Sequence, residues 1–281
     1  MDQEAAKAKE LENWTRVAPG WRKHDERFMV NTAPATARLL GRAGVRAGQR
    51  VLDIASGTGE PAIPAAERVG PSGSVLGLDF VEDMLAFARE KAAARGLRNV
   101  EFRRQDGEQL DVPDASVDAV TMRWGLMFMP DPVACLRRAL AALKPGGRIA
   151  LSTWAGPEHN VWAALPVEVI KRHVELPAPA PGAPGLFAMA DPERLRRVMG
   201  EAGFSDVLVE PLALVNMHAQ SGSEYFQMFI ELAGPIAALY ARLTDDLKAV
   251  VAREIAAEAD RRAVAGQVIL TGVTWVASGQ K

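Results

Sequence analysis

The chain has 281 residues, of which 48% are hydrophobic and 24% charged, with a formal net charge of -2 and a single cysteine, Cys135. This composition is typical of a folded globular protein with one large domain or a core with an appendage. One cysteine excludes an internal disulfide and a zinc site built from several thiolates, and no metal site is predicted. Because Lys and Arg are dispersed, we expect a small-molecule partner rather than nucleic acid.

No apolar run reaches the roughly 18 residues needed to span a membrane, and the charged N-terminus does not resemble a signal peptide. We therefore expect a cytoplasmic protein. Residues 2–44 are predicted to form two or three helices, since Thr32 and Pro34 provide a cap and a first turn for the last of them. Residues 1–47 are assigned to an N-terminal helical cap.

Between residues 50 and 155, short apolar runs alternate with helical patterns, which predicts a parallel sheet wound with helices. The clearest helix is Val81–Arg95, where apolar residues recur at helical spacing before Gly96. The five strands expected in this part are Arg50–Ile54, Ser74–Asp79, Val100–Arg104, Val117–Met122 and Arg148–Trp154.

After this core, a Pro-rich loop, Leu176–Gly185, is followed by a helix predicted from Asp191 to Gly203. Strands are expected near residues 206–215 and 267–277. Between them a helical pattern is broken near Pro235 and restarts at Thr244. Residues 156–281 thus complete the sheet, and the inserted segments 156–190 and 222–264 are expected to form a helical lid over an acceptor pocket.

Glycines after the first strand predict a cofactor loop. The segment from Gly57 to Ala62 fits the G-x-G-x-x-A pattern of dinucleotide-binding folds, and Asp79 is placed to bind a ribose. Asp53, at the end of the first strand, would repel a pyrophosphate but suits an ammonium group. The charge pattern therefore favours S-adenosylmethionine over a nicotinamide dinucleotide.

At these residues the chain resembles the class I S-adenosylmethionine-dependent methyltransferases, in particular the branch that includes ubiquinone and menaquinone C-methyltransferases. The likeness covers residues 48–155 and departs from the family at Ala55, where a glycine is usual. It implies a Rossmann-like, doubly wound, mostly parallel seven-stranded sheet with helices on both faces. It also implies transfer of a methyl group from S-adenosyl-L-methionine to a small, apolar or aromatic acceptor, on carbon or oxygen.

The resemblance further implies which residues hold the cofactor. Asp79 is expected to bind the ribose hydroxyls, Asp106 the adenine amino group and Asp53 the methionine part. The complete set of cofactor-binding candidates is Asp53, Ala55, Ser56, Gly57, Thr58, Gly59, Asp79, Phe80, Met84, Asp106, Gly107, Glu108, Arg123 and Trp124.

The sequence identifies the acceptor-binding and catalytic residues less closely than the cofactor-binding residues. His24 and His159 are candidates for a general base, with a surface histidine as the alternative. Candidates for the acceptor pocket are Trp21, Met127, Phe128, Asn160 and Trp162. Packing is the alternative for the four large apolar side chains among them. Two other functions stay open, a nicotinamide-dependent oxidoreductase and a non-catalytic cofactor-binding protein. The apolar stripe from Tyr225 to Ile255 indicates helix packing or a homodimer surface.

Overall fold

The structure is a computed structural model that describes residues 3–176, 180 and 182–281. Its centre is a seven-stranded sheet of order β3-β2-β1-β4-β5-β7-β6. The pairs formed among β1 to β5 are parallel, and β7 is antiparallel to β5. The strands are β1 Arg50–Ile54, β2 Ser74–Asp79, β3 Val100–Arg104, β4 Val117–Arg123, β5 Leu143–Trp154, β6 Ser205–Ala219 and β7 Val268–Gln280.

Helices connect and flank these strands. They are α1 Gln3–Arg42, α2 Ala62–Val69, α3 Glu82–Ala94, α4 Pro132–Ala142, α5 Val161–Lys171, α6 Pro192–Glu201, α7 Gly222–Leu232, α8 Gly234–Ala241 and α9 Asp245–Asp260. The predicted α/β class and mostly parallel sheet are confirmed. Within the described residues, no helix combines the length and the hydropathy required to cross a membrane.

The prediction of two or three helices before the sheet is wrong, because α1 is one continuous helix. Thr32 does not cap a new helix; its buried hydroxyl donates to the Phe28 carbonyl, 2.8 Å away in the same helix. Pro34 lies inside α1, where a proline removes one backbone donor. Burial of Leu39 and Leu40 after this position holds the last turns in place.

Helix boundaries further along agree with the sequence pattern. The Asp191 carboxylate accepts from the Glu193 backbone N–H at 2.9 Å and caps α6. Thr244 caps α9 in the same way, so the predicted restart is confirmed. Strands β6 and β7 are longer than predicted. Part of the predicted Pro-rich loop, at residues 177–179 and 181, lies outside the described residues.

The chain divides into two compact units, and α1, β6 and β7 each contribute to both. The sheet unit comprises residues 33–155, 184–212 and 274–281. In its core, apolar side chains of α1, α2 and α3 pack against apolar side chains of the sheet. Leu39, Ile63 and Leu85 come from the helices, and Val51 and Val276 from the strands. Strand β1 is buried from Val51 to Ile54, as expected for a parallel strand covered on both faces.

The helical unit comprises residues 1–32, 156–183 and 213–273. Its core contains Tyr225 and Phe229, both fully buried on α7. The Tyr225 hydroxyl donates to the Trp162 carbonyl at 2.6 Å, and burial raises the pKa of this phenol. Tyr225, Phe229 and Ile255 of the apolar stripe are fully buried in this unit, whereas Ile236 and Leu243 are half-buried, so a homodimer surface there stays a prediction.

Candidate functional site

The loop between β1 and α2 is fixed by backbone hydrogen bonds. The Ser56 N–H donates to the Leu78 carbonyl of β2 at 2.9 Å, which ties the loop to the neighbouring strand. The N–H groups of Gly59 and Glu60 both donate to the Ser56 carbonyl, at 2.8 and 3.1 Å. These bonds form a tight turn directly before α2. The loop is therefore a preformed backbone cradle at the carboxyl edge of the sheet, where α/β proteins bind ligands.

Asp79 connects this loop to the next helix. Its Oδ2 accepts from the Gly57 N–H at 2.8 Å and its Oδ1 from the Val81 N–H at 2.9 Å, where α3 begins. Burial raises the pKa of the Asp79 carboxyl, although both N–H donors favour its ionised form. The side chain lies at the end of β2, as the sequence predicts for a ribose-binding carboxylate.

Gly57 leaves open space beside this carboxylate. Its φ is 51°, in the left-handed region that glycine adopts without strain. A Cβ atom placed there would meet only the Met84 Sδ, at 3.9 Å. A ligand can thus approach the Gly57 backbone closely, so the geometry fits a cofactor held by backbone and by one carboxylate.

Asp53 supports the loop from the protein interior. It is fully buried, and its Oδ2 accepts from the Ser56 hydroxyl at 2.6 Å while its Oδ1 accepts from the Thr121 hydroxyl at 2.7 Å. Burial raises the pKa of Asp53 to about 7, against the opposing effect of these two hydroxyl donors. The carboxylate links β1, the loop and β4, and its contact with an ammonium group stays a prediction.

A buried charged cluster lies next to this carboxylate. The Arg123 guanidinium donates to the Thr36 hydroxyl at 3.3 Å and lies 4.0 Å from the Glu60 carboxylate. Thr36 in turn donates to Glu60 at 2.8 Å. Arg123 was a candidate, whereas Glu60 and Thr36 were missed. For Glu60 the sequence does contain one indication, since this acid lies at the start of α2, where the helix dipole stabilises negative charge.

Trp124, directly after β4, has a backbone conformation that is unusual for a bulky residue. Its φ is 55°, and strained conformations of this kind concentrate at functional sites. The indole stacks on Trp154 with ring centroids 4.3 Å apart and donates to the Thr274 hydroxyl at 2.9 Å. On its face lies the Arg123 guanidinium, 4.8 Å from the ring centroid. These contacts fix the turn after β4.

Ala55, the departure from the family pattern, also has a left-handed backbone, with a φ of 56°. The structure shows what accommodates its methyl group. A Cβ atom at Gly125 would lie 2.5 Å from the Ala55 Cβ, which is closer than side chains can approach. The methyl at position 55 therefore fits because position 125 has no side chain.

The turn after β3 contains the predicted adenine-binding residues. Asp106 Oδ1 accepts from the Glu108 N–H at 2.9 Å, and Glu108 accepts from the Asp131 N–H at 2.6 Å. The Gln105 N–H donates to the Asp79 carbonyl at 2.9 Å, so the turn is attached to the residue predicted to bind ribose. Asp79 and Asp106 thus lie on adjoining strand ends.

The remaining candidates of the sheet unit lie on these same loops. Thr58 is buried in the first loop, Phe80 is half-buried after β2, and Met84 is buried on α3. Gly107 lies in the turn after β3. Met127 and Phe128 belong to a short 3-10 helix that follows Trp124, and the Met127 carbonyl accepts from the Gly185 N–H at 2.9 Å.

Acceptor candidates of the helical unit make structural hydrogen bonds. Asn160 is fully buried, and its amide bonds to the Gly156 carbonyl, to both backbone groups of Val273 and to the Trp162 indole N–H. The Trp21 indole donates to the Leu232 carbonyl at 3.0 Å. A pocket role for these three side chains stays a prediction.

The two candidate bases lie in different environments. His24 has a 12% exposed side chain and contacts Glu231 at 2.5 Å, an acid that also accepts from Lys23. Despite the opposing effect of burial, these bonds and one from Gln227 lower the pKa of Glu231 to about 2. The His159 side chain is 57% exposed and lies 3.6 Å from Glu158. General base catalysis by either histidine stays a prediction.

The sheet order, the loop after β1 and the carboxylate at the end of β2 define a Rossmann-like cofactor-binding domain. A family model described as a methyltransferase domain matches residues 46–196, and the chain belongs to this family. The predicted resemblance to class I methyltransferases is confirmed, with S-adenosyl-L-methionine as the cofactor of that class.

Relatives of known name are similar in this region. The chain is 44% identical over 109 residues, 39% of its length and 47% of the relative's, to the demethylmenaquinone methyltransferase of Geobacillus kaustophilus. It is 34% identical over 175 residues, 59% of its length and 70% of the relative's, to the ubiquinone/menaquinone biosynthesis C-methyltransferase UbiE of Cronobacter sakazakii. The chain spans about half the length of the demethylmenaquinone methyltransferases that it matches.

Solved structures support the fold. The phosphoethanolamine N-methyltransferase 2 of Haemonchus contortus, in complex with S-adenosyl-L-methionine, superposes with a TM-score of 0.53 and 20% identity. The match covers 88% of this chain and 52% of that one. At this identity the likeness shows the fold alone.

The contact between positions 55 and 125 predicts a coupled pair. Gly125→Ala should lower the free energy of unfolding by about 1–3 kcal/mol, since the new methyl overlaps that of Ala55. Ala55→Gly alone should change it by less than about 1 kcal/mol, because relieved strain offsets unfolded-state entropy. In the double variant most of the Gly125→Ala cost should disappear. Urea unfolding of all four proteins measures the coupling, and simple additivity would contradict it.

Asp53 predicts a pH effect on stability. Its pKa of about 7 in the folded protein exceeds the ordinary value of 3.8, so ionisation destabilises the fold as pH rises through this window. Asp53→Asn cannot ionise. Its free energy of unfolding relative to wild type should therefore increase by up to roughly 1.4 kcal/mol per pH unit from about pH 4 to pH 7 and then level off. Urea unfolding from about pH 5 to pH 8 measures this, and a constant difference would refute it.

Proposed function

We propose that the protein transfers a methyl group from S-adenosyl-L-methionine to a carbon atom of a small aromatic acceptor. The observation that carries the proposal is the pairing of Asp79 with the Gly57 N–H beside open space. Two relatives named for demethylmenaquinone and for ubiquinone/menaquinone support a quinone-like ring as the acceptor. Methylation of oxygen is the alternative for the same class of acceptor.

The chain's residues would hold the cofactor in three parts. Asp79 keeps acceptor capacity for a ribose hydroxyl, since a carboxylate offers about four lone-pair sites and the backbone N–H groups of Gly57, Val81 and Phe80 use three of them. Asp106 would accept from the adenine amino group, and Gly57 would contact the methionine part. When bound, the sulfonium supplies an already activated methyl group.

Catalysis then depends mainly on alignment and exclusion of water. The turn after β4 is rigid because Trp124 is stacked and hydrogen-bonded, so it can orient an acceptor next to the cofactor loop. Met127 and Phe128, which follow it, would supply apolar contacts for an aromatic ring. We further propose that the helical segments 156–190 and 222–264 determine which acceptor is recognised.

The test compares two neighbouring carboxylates. Asp79→Asn removes the charge but keeps the shape of the side chain, and should weaken binding of S-adenosylhomocysteine by about 10- to 100-fold, because bonds to a charged group contribute about 1.5–3 kcal/mol. Asp83→Asn, at an exposed position on α3, is the matched control and should bind normally. Calorimetry measures both, with circular dichroism to verify the fold.

Three outcomes would overturn parts of the proposal. Tight binding of a nicotinamide dinucleotide without binding of S-adenosylhomocysteine would favour an oxidoreductase. Equal affinities of Asp79→Asn and wild type would remove Asp79 from the site. Normal cofactor binding without transfer of a labelled methyl group to any reduced benzoquinone or naphthoquinone would exclude the proposed acceptor class and favour a non-catalytic protein.

A further inference from the structure

A cavity of about 530 Å³, open to solvent, lies among α7, α8 and α9 of the helical unit. Its volume falls within the range of about 300–1,000 Å³ that is typical of small-molecule sites. Phe226 and Ile230 of α7 form one wall, Tyr240 of α8 lies at its side, and Ala252 and Ala256 of α9 form the opposite wall. None of these residues belongs to the candidate cofactor site.

The sequence explains why these helices leave space. At one end α7 touches α9 directly, since a Cβ atom at Gly222 would lie 1.9 Å from the Ala256 carbonyl oxygen. Further along, α9 presents alanines, which are too small to fill the gap to Phe226 and Ile230. Phe226 and Tyr240 pack edge to face with ring centroids 5.2 Å apart, which supports the wall. The cavity thus follows from small residues on one helix and large ones on its neighbours.

Arg253 brings a positive charge to this space, whose lining also includes the polar side chains of Ser223 and Gln227. The residue lines the cavity from the exposed side of α9, and its side chain makes no ion pair or hydrogen bond with any residue that the structure describes. By contrast, Arg172, Arg261 and Arg262 all pair with Glu258.

The acid that lines the cavity is separate from this cation. Asp260 lies two turns of α9, about 10 Å, from Arg253. Its Oδ1 accepts from the Gly222 N–H at 2.6 Å, which stabilises the start of α7. The Arg253 end of the cavity is therefore the end that suits an anion.

We propose that this cavity binds a small amphipathic carboxylate, with its apolar part between α7 and α9 and its carboxylate at Arg253. Burial of an alkyl chain against Phe226, Ile230 and the alanines would supply most of the affinity. The unpaired guanidinium would supply the preference for an anion over a neutral molecule of the same shape. The site is independent of methyl transfer and of the proposed cofactor residues.

The experiment compares decanoate with decanol by calorimetry. Wild type should bind decanoate saturably and at least about five-fold more tightly than decanol, as expected for about 1 kcal/mol from one partly exposed charged contact. Arg253→Gln should remove this preference while leaving decanol binding unchanged. Arg242→Gln, an exposed arginine that does not line the cavity, is the matched control and should behave as wild type.

A second variant locates the binding. Ala252→Leu fills the cavity and should weaken both ligands by more than about ten-fold, since it occupies the space of several methylene groups. Circular dichroism and thermal unfolding check that each variant is folded. Absence of decanoate binding to wild type, an unchanged preference in Arg253→Gln, or unchanged binding in a folded Ala252→Leu would each overturn the proposal.

Discussion

The site depends on one carboxylate that serves two backbone segments. Asp79 accepts from the Gly57 N–H of the loop after β1 and from the Val81 N–H at the start of α3. These bonds fix the distance between two strand ends. Because the same oxygens keep free lone pairs, the interaction that orders the loop also prepares the proposed ribose contact. Order in the loop and affinity for the cofactor are therefore linked through a single side chain.

Behind this contact, the sheet unit contains polar groups that a typical core would exclude. Arg123 lies 4.0 Å from Glu60, and both side chains bond to the Thr36 hydroxyl. Asp53 accepts from the hydroxyls of Ser56 and Thr121. Buried charges persist only when they are hydrogen-bonded or paired. The cluster joins α1, β1, the cofactor loop and β4, so it makes the position of the loop dependent on three other elements.

The periodicity of the sequence was sufficient for the sheet, because each strand of the core is a short apolar run between turn residues. It failed for α1, since Thr32 and Pro34 have the same local signature inside a packed helix as at its start. Asp79 and Asp106 could be placed from their strand ends alone. Glu60 and Thr36 could not be placed in this way, because their hydrogen bond depends on the packing of α1, which no local sequence pattern predicts.

The fit between Ala55 and Gly125 also constrains how the loop can change over time. A lineage carrying alanine at position 55 cannot accept a side chain at position 125 without a clash, because the two Cβ atoms would lie 2.5 Å apart. A lineage that returns to glycine at position 55 is released from that restriction. Substitution first at 55 and then at 125 is therefore the less costly order, so either residue is interpretable in a relative only when both are compared.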